Sequence, residues 1–403
     1  MTFPVAYATL CGAFPDFIFV KHRTAVIIIA GAGAALLLVL AVCGIFGFLI
    51  LGAWPGREMS IPPELTRPGV KHGTGILDKS VYLTDPALGS VTEIVPQPVA
   101  SSHLGVAGTR GAVFLAADGT VQSRVKFASA LSYIQFVDVN GDGKLEFLNR
   151  GGGGWSDASV LDDQGRVLWT YGGMPGVDDM AAGDLDGDGV LDFVVVFNGG
   201  GGVRRLDKGG ALQWTEADGN VWHVEIVDAD GDGRPEIVHS NAGGEITVRD
   251  PTGKIVRRAK PSSYFSVFSL CRWPSRADRQ FLLSAADDKF WIFDYDGTRL
   301  ATFDAPETGS LGDAHGAPVR LRAGEGPSFA VIVEFHNWNV SVLYVYGPDQ
   351  KLVYQEVIAD NCRSMTAVPR EGSDVDDLLI GGTGTIWKYA AADAATNEKP
   401  SEK

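Results

Sequence analysis

An acidic nine-residue loop occurs three times between residues 138 and 236, and this repeat constrains the fold more than any other feature. Each copy carries an acid or amide at positions 1, 3, 5 and 9 and glycine at positions 4 and 6. Calcium takes roughly 6–8 hard oxygen ligands, and glycine lets a short loop fold back around the ion. The pattern therefore predicts about three structural calcium ions, with metal-free acidic turns as the alternative. The predicted ligands are Asp138, Asn140, Asp142, Glu146, Asp184, Asp186, Asp188, Asp192, Asp228, Asp230, Asp232 and Glu236.

The spacing of the loops indicates a repeated structural unit. Their first aspartates are 46 and then 44 residues apart. A turn glycine recurs with nearly the same period, at Gly119, Gly165, Gly209, Gly253 and Gly297. A period of about 40–45 residues is typical of a four-stranded propeller blade. The fold is therefore predicted to be all-β, a seven-bladed β-propeller, with six or eight blades left open.

The order of signals within one unit is consistent along the chain. An apolar strand leads into the acidic loop, and a second strand, a glycine-rich gap, a third strand, a turn and a fourth strand follow. Second strands are predicted at 145–148, 191–197, 236–239, 281–284, 329–335 and 378–380. The last unit lacks a fourth strand after Tyr389. Residues near Ser80–Thr84 are predicted to supply it, which would leave no free sheet edge.

These loops and their period resemble the FG-GAP/VCBS repeats of calcium-loop propellers such as the integrin α head. The resemblance covers roughly residues 76–391 and is specific at 138–236. It implies that each ion lies in the loop joining the first and second strands of a blade. The chain lacks a clear Phe-Gly-Gly-Ala-Pro signature. Its turn-plus-tryptophan elements, Gly165 to Trp169 and Gly209 to Trp214, look instead like quinoprotein-type propeller repeats.

The segment from Ala25 to Leu51 contains 27 residues without a charge. A bilayer core requires about 20 such residues, whereas the hydrophobic region of a secretory signal has about 7–15. A single transmembrane helix is therefore predicted, with a cleaved signal and a buried core helix as alternatives. Long domains translocate largely regardless of charge, and this permits an external propeller. The N-terminus is predicted to be cytoplasmic and the propeller extracytoplasmic. The predicted division is 1–23 N-terminal segment, 24–53 transmembrane helix, 54–75 Pro-rich linker, 76–391 propeller and 392–403 disordered tail.

Charge and cysteine content restrict the possible partners and compartments. The net charge is −15, and eleven acids lie in the three loops, so much of the acidity belongs to the predicted ligands. The sequence contains no basic stripe for a nucleic acid, which excludes that class of partner from the prediction. Cys271 and Cys362 fall in different units, and whether they pair is left open.

The sequence contains no recognisable catalytic motif, and the connections opposite the acidic loops remain as the candidate ligand site. Propellers commonly bind there because several blades contribute side chains to one concave surface. The ring-bearing and polar residues of these connections include Asp157, Tyr264 and Arg363. The predicted site, for a glycan or protein ligand, consists of Trp155, Trp222, His223, His315, His336 and Trp338.

Three alternatives to this binding site stay open, and one of them is that the chain is an assembly subunit of a larger envelope complex. The tryptophans could simply pack between blades. The chain could also be an extracytoplasmic propeller enzyme, such as a polysaccharide lyase or hydrolase or a quinoprotein-like enzyme. Carboxylates or histidines converging at the channel mouth would favour the enzyme, whereas an aromatic rim without a paired acid and base would favour binding.

Overall fold

The computed structural model describes residues 63–392, apart from nine internal gaps. The gaps are 98–101, 152–155, 174–175, 263–264, 266, 275, 287, 307–312 and 336–337. The predicted N-terminal segment and transmembrane helix, 1–23 and 24–53, lie outside the described residues, as does 393–403 of the predicted tail. Within the described ranges, no helix has the length and apolar character needed to cross a bilayer.

Seven antiparallel sheets, each built mainly from four consecutive strands, form a seven-bladed β-propeller. The prediction of an all-β fold with seven blades is therefore confirmed. Two strands precede the first blade: β1 (Gly69–His72) and β2 (Leu77–Thr84). Short 3₁₀ turns lie at Pro63–Thr66, Pro86–Leu88 and Asn198–Gly200.

The strands follow one another blade by blade along the chain. Blades 1 to 3 contain β3 (Val91–Pro96), β4 (Leu104–Gly108), β5 (Gly111–Leu115), β6 (Val121–Lys126), β7 (Ile134–Val137), β8 (Glu146–Asn149), β9 (Ala158–Leu161), β10 (Val167–Tyr171), β11 (Val177–Gly183), β12 (Asp192–Phe197), β13 (Gly202–Leu206) and β14 (Leu212–Glu216). Blades 4 and 5 contain β15 (Val221–Val227), β16 (Glu236–Asn241), β17 (Ile246–Arg249), β18 (Ile255–Ala259), β19 (Ser269–Trp273), β20 (Arg276–Ala286), β21 (Lys289–Phe293) and β22 (Arg299–Asp304). Blades 6 and 7 contain β23 (Asp313–Val319), β24 (Ser328–Phe335), β25 (Val340–Tyr346), β26 (Leu352–Ile358), β27 (Ser364–Pro369), β28 (Asp376–Gly381) and β29 (Thr385–Ala391).

The hydrophobic core lies between neighbouring blades. Neighbouring first strands contact one another, as β11 contacts β15 and β19 contacts β23, so first strands surround the centre. Second and third strands are buried on both faces, which explains why β12 and β25 read as continuous apolar runs. Outer strands such as β10 expose most of their residues. The apolar clusters each join the strands of two adjacent sheets.

The predicted closure of the ring is confirmed. Strand β2 pairs antiparallel with β29, so the start of the propeller supplies the outer strand of blade 7. Ser80 pairs with Lys388 and Thr84 pairs with Thr385 in this register. Closing the ring in this way satisfies the ladder hydrogen bonds of β29 that would otherwise face solvent.

The residues before β2 differ from the prediction. Residues 54–75 were predicted to be an extended linker, but β1 pairs with β26 and becomes a fifth strand on the outside of blade 6. Leu65, just upstream, is fully buried. The described end of the linker is therefore attached to the propeller.

The periodic glycines lie in the turns between the third and fourth strands. Gly119, Gly165, Gly253 and Gly297 have positive φ, and each donates its N–H to the carbonyl three residues earlier. In blade 3 the residue that does this is Gly210, with φ of 81° and a bond to the carbonyl of Asp207. The prediction of Gly209 at this place is therefore wrong by one residue.

The tryptophans that follow these turns join adjacent blades. The indole N–H of Trp169 in blade 2 donates to the carbonyl of Lys208 in blade 3, at 2.9 Å. Trp214 in blade 3 likewise donates to the carbonyl of Pro251 in blade 4, at 3.2 Å. A Cβ on Gly210 would lie 2.9 Å from the Trp169 ring, so glycine there also permits the contact. The turn-plus-tryptophan elements are therefore inter-blade contacts.

The antiparallel order of each blade defines two faces. Connections from first to second and from third to fourth strands share one face, which we call the loop face because it carries the acidic loops. Connections from second to third strands and between blades share the other face, which we call the mouth face. First strands begin at the mouth face, so residues near their starts surround that end of the channel.

Candidate metal loops and channel mouth

The three acidic loops have closely similar backbone geometry. In each, the first aspartate accepts the N–H of the sixth residue, as Asp138 accepts from Gly143 at 2.9 Å. The glycines at positions 4 and 6 have φ between 72° and 90°, a region that side chains with a Cβ disfavour. Each loop joins the first strand of its blade to the second. The acidic loops therefore lie between the strands that the family resemblance implies.

The ninth residue is buried in the first two loops and half-buried in the third, whereas the third and fifth positions are exposed in all three. Glu146 and Glu236 each accept a backbone N–H, from Val139 and Ala229, at 2.8 Å. Burial raises the pKa of Glu146 and of Glu236, and the neighbouring loop aspartates raise both further. Carboxylates this close repel one another when ionised, and a cation between them would relieve the repulsion.

The donor set of the loops fits a hard cation. In the second loop, ligand oxygens of Asp184, Asp186 and Asp188 lie within 4.8 Å of one another. In the third loop, those of Asp228, Asp230 and Glu236 do so. Carboxylate oxygens at this spacing, with backbone curled around them, are the ligands that Ca²⁺ prefers. The first loop has an amide, Asn140, at its third position.

A buried arginine joins three blades at the mouth face. Arg150 follows β8, and only 5% of its side chain is exposed. It forms two 2.8 Å bonds to Asp179 of blade 3 and one of 3.0 Å to Glu225 of blade 4. Its other N–H groups donate to Gln135 at 3.2 Å and to the carbonyl of Val224 at 2.7 Å. All the donors of this guanidinium are therefore used within the fold.

His223 lies between the same two carboxylates. Its Nδ1 is 2.6 Å from Asp179 Oδ2, and its Nε2 is 3.2 Å from Glu225 Oε1. Burial alone would lower the pKa of His223, but the two carboxylates outweigh it and raise the pKa to about 9. Burial likewise opposes ionisation of Asp179, yet Arg150 and His223 hold the pKa of Asp179 far below its usual value. The imidazole is therefore a cation at neutral pH.

Glu93 of blade 1 completes this side of the mouth. Its Oε2 accepts the N–H of Phe136 at 2.6 Å. Burial raises the pKa of Glu93 to about 7, although the Phe136 bond and Arg150 act in the opposite direction. Glu93 is thus the acid of this cluster that can exchange a proton near neutral pH.

Blades 6 and 7 contribute a second polar group to the mouth. Arg363 Nε lies 2.9 Å from both carboxylate oxygens of Glu334. His315 lies in β23, where burial lowers the pKa of its imidazole, while Asp313 and Glu334 act to raise it. The charges of His223 and Glu225 also act on His315. Side chains that are far apart in the sequence therefore meet in one electrostatic environment.

The predicted ligand-site residues fall into three groups. His223 and His315 lie near the channel, and Trp222 occupies a bulge beside His223 in β15. The prediction placed Trp222 and His315 in connections between blades, which is wrong because β15 and β23 begin before them. Trp338 lies between β24 and β25 and stacks on Phe335, with ring centroids 5.7 Å apart. Trp155 and His336 lie outside the described residues.

Several residues of the mouth were not predicted. They are Glu93, Gln135, Arg150, Asp179, Glu225 and Glu334. For Glu93, Gln135 and Asp179 the signal is a polar residue in a first strand, one or two places after its start. First strands begin at the mouth face, so a polar residue at such a place lies near the mouth.

Comparisons with known proteins find one family model and several solved structures that resemble this chain. Residues 184–239, which include the second and third acidic loops, match the model of the FG-GAP-like repeat. No curated protein matches the chain. A crystal structure of BBS1N in complex with ARL6DN, soaked with lead, is similar with 14% identity and a TM-score of 0.49, covering 79% of this chain and 99% of that one.

A second similar structure is Raptor from Chaetomium thermophilum. It has 14% identity and a TM-score of 0.50, covering 82% of this chain and 29% of that protein. The chain thus spans less than a third of the length of Raptor. At this identity the likeness concerns the propeller fold alone.

Proposed function

We propose that this chain is a membrane-anchored, extracytoplasmic propeller that binds or scaffolds a glycan or protein ligand without catalysis. A β-propeller with an FG-GAP-like repeat fits a binding or scaffolding role. The observation that carries the proposal is the mouth face, where polar side chains from blades 1, 2, 3, 4, 6 and 7 meet. The half-buried indoles of Trp222 and Trp338 border that face. The anchor is the apolar segment 24–53.

Calcium ions are part of the same proposal. The first loop would hold an ion through Asp138, Asn140, Asp142 and Glu146. The third loop would do so through Asp228, Asp230, Asp232 and Glu236. A bound ion supplies positive charge that offsets repulsion among the carboxylates, and its role is to stabilise the blade. The protein residues keep the loop shape through their backbone hydrogen bonds.

The converging acids and histidines also bear on the enzyme alternative. Carboxylates and histidines do meet at the mouth, which favours an enzyme by the criterion derived from the sequence. The hydrogen-bond pattern weighs against catalysis, because the Arg150 donors are all used and His223 is already protonated near pH 7. Glu93 is one remaining candidate for a general acid or base among the described residues. We therefore keep a polysaccharide lyase or hydrolase as the second candidate.

A glycan and peptide array probed with the full-length protein tests the proposed ligand site. Trp338→Ala and Trp222→Ala should each weaken binding to the strongest array member by about tenfold or more, as for an interface hot spot. Calcium affinity should stay unchanged, since both residues lie away from the loop face. Leu168→Ala on outer strand β10, where the side chain is 56% exposed, is the matched control.

Two results would decide against this proposal. If both tryptophan variants bound the array member as tightly as the wild type does, the mouth face would be rejected as the ligand site. Shortening of a bound polysaccharide by the wild-type protein, abolished in Glu93→Gln, would support the enzyme instead.

A further inference from the structure

A cationic side chain lies on the second acidic loop. Arg205, in β13, places its Nη2 2.9 Å from Asp186 Oδ2 and 2.6 Å from Asp192 Oδ2. These are the third and ninth positions of the loop. The Arg205 and Asp192 side chains are only 14% and 10% exposed, so solvent screens this pair little.

The other two loops have an apolar residue at the equivalent place. Arg205 pairs with Val194, two residues after the ninth loop position of blade 3. The same register places Val160 opposite Leu148 in blade 2 and Val248 opposite Val238 in blade 4. Both valines are buried. At this register position, the arginine is therefore a feature of the second loop among the three. Arg279 of blade 5 contacts the third loop, but it donates to the carbonyl of Ala229.

The second loop, which contacts the Arg205 guanidinium, also differs from the other two loops in its hydrogen bonds. In the first and third loops, the third-position side chain accepts the N–H of the fifth residue, at 2.9 Å for Asn140 and 3.0 Å for Asp230. In the second loop, Asp186 accepts from Arg205 instead. The N–H of Asp188 donates to Asp184, as the N–H of Asp142 also does to Asp138 in the first loop. In the third loop, the ligand oxygens that lie close together include that of the ninth residue, Glu236. In the second loop they belong to Asp184, Asp186 and Asp188, and the ninth residue is not among them.

We propose that Arg205 is an internal cation that competes with calcium for the second loop, so this loop binds calcium more weakly than the first and third. The inference rests on the proposed calcium role of the loops. Two cationic groups a few ångströms apart repel, and Arg205 already neutralises part of the charge that would attract an ion. Calcium therefore enters the second loop only when Arg205 releases Asp186.

Arg205 has a further partner that would remain available after it releases Asp186. Its Nη1 donates to the carbonyl of Pro251 in blade 4, at 3.2 Å. Trp214 donates to the same carbonyl. The occupancy of the second loop is thus coupled to the contact between blades 3 and 4, through one side chain.

Calcium titration of the full-length protein tests this inference. Isothermal titration calorimetry of the wild type should resolve two tighter sites and one that is weaker by about tenfold or more. Arg205→Met should bring the third site into the range of the other two. Arg204→Met is the matched control, because it removes the same charge from the neighbouring residue, which donates to Tyr171 instead. It should leave all three affinities unchanged.

A second pair of variants keeps the test decisive if Arg205→Met does not fold. Asp186→Ala should abolish the weak site and keep both tighter ones, whereas Asp230→Ala should abolish a tighter one. Three equal sites in the wild type, or loss of a tighter site in Asp186→Ala, would overturn the role of Arg205 while the calcium sites stand. Absence of calcium binding in every variant and in the wild type would instead overturn the proposed function of the loops.

Discussion

The buried pair of His223 and Asp179 makes stability depend on pH in a defined window. The pKa of His223 rises from its ordinary value of 6.5 to about 9 in the folded protein. That change corresponds to about 3 kcal/mol, because each pH unit is worth about 1.4 kcal/mol. The folded pKa is the higher one, so this stabilisation is complete below about pH 6.5 and is lost as the pH rises through 9.

Neighbouring acids titrate in other windows. Glu93 has a raised folded pKa of about 7, so its contribution is lost mainly between about pH 4.5 and 7. Asp179 and Glu225 have lowered pKa values, so their contributions are lost on acidification. A comparison of wild type with His223→Gln isolates the histidine, since both proteins contain all the other groups.

Urea unfolding followed by tryptophan fluorescence at constant calcium is the assay. The difference in unfolding free energy between wild type and His223→Gln should shrink by about 3 kcal/mol between about pH 6 and pH 9.5. His72→Gln, on the exposed strand β1, is the control and should run parallel to the wild type. A difference that stays constant with pH would refute the assignment of His223 as a buried cation.

Four further predictions concern the calcium sites, two ion-paired side chains and the orientation in the membrane. Chelation of calcium should lower the melting temperature, as should Asp230→Ala, because an ion at 100 times its Kd stabilises the fold by about 2.7 kcal/mol; unchanged melting with no calcium by elemental analysis would contradict the metal sites. Arg150→Met should cost about 3–5 kcal/mol in urea unfolding, since it leaves buried carboxylates unpaired. Lys79→Met should cost about 1–3 kcal/mol, because Lys79 of the closing strand β2 binds buried Glu356 of blade 6 at 2.8 Å. Protease added to intact cells should digest the propeller and spare an N-terminal tag, and protection of both would place the propeller in the cytosol.

Local signals predicted most of the architecture. Period, turn glycines and apolar runs identified seven blades and the second strands, since each blade is a short-range unit with its own turns. Closure by the residues near Ser80 followed from the missing fourth strand of the last blade. The blades and their second strands depend on neighbours within one unit, which is why a single sequence reveals them.

Features that depend on distant residues were missed. Arg150 looks like a solvated residue after a strand, yet four of its five bonds reach other blades, up to 75 residues away. The choice between Gly209 and Gly210 depends on backbone geometry that two adjacent glycines do not reveal. Trp222 was placed in a connection because the bulge at the start of β15 hides the strand signal there.

The network at the mouth constrains how a ligand can bind. Arg150 and His223 join blades 2, 3 and 4 through buried ion pairs, and displacing either would leave carboxylates unpaired at a cost of about 3–5 kcal/mol. A ligand is therefore expected to lie above this network and to contact the rim, where Trp222 and Trp338 are only half-buried. Contact with a rim favours a broad partner, such as a protein or polysaccharide, over a small molecule that needs an enclosed pocket. The acidic loops lie on the opposite face, so calcium should act on binding through the stability of the blades.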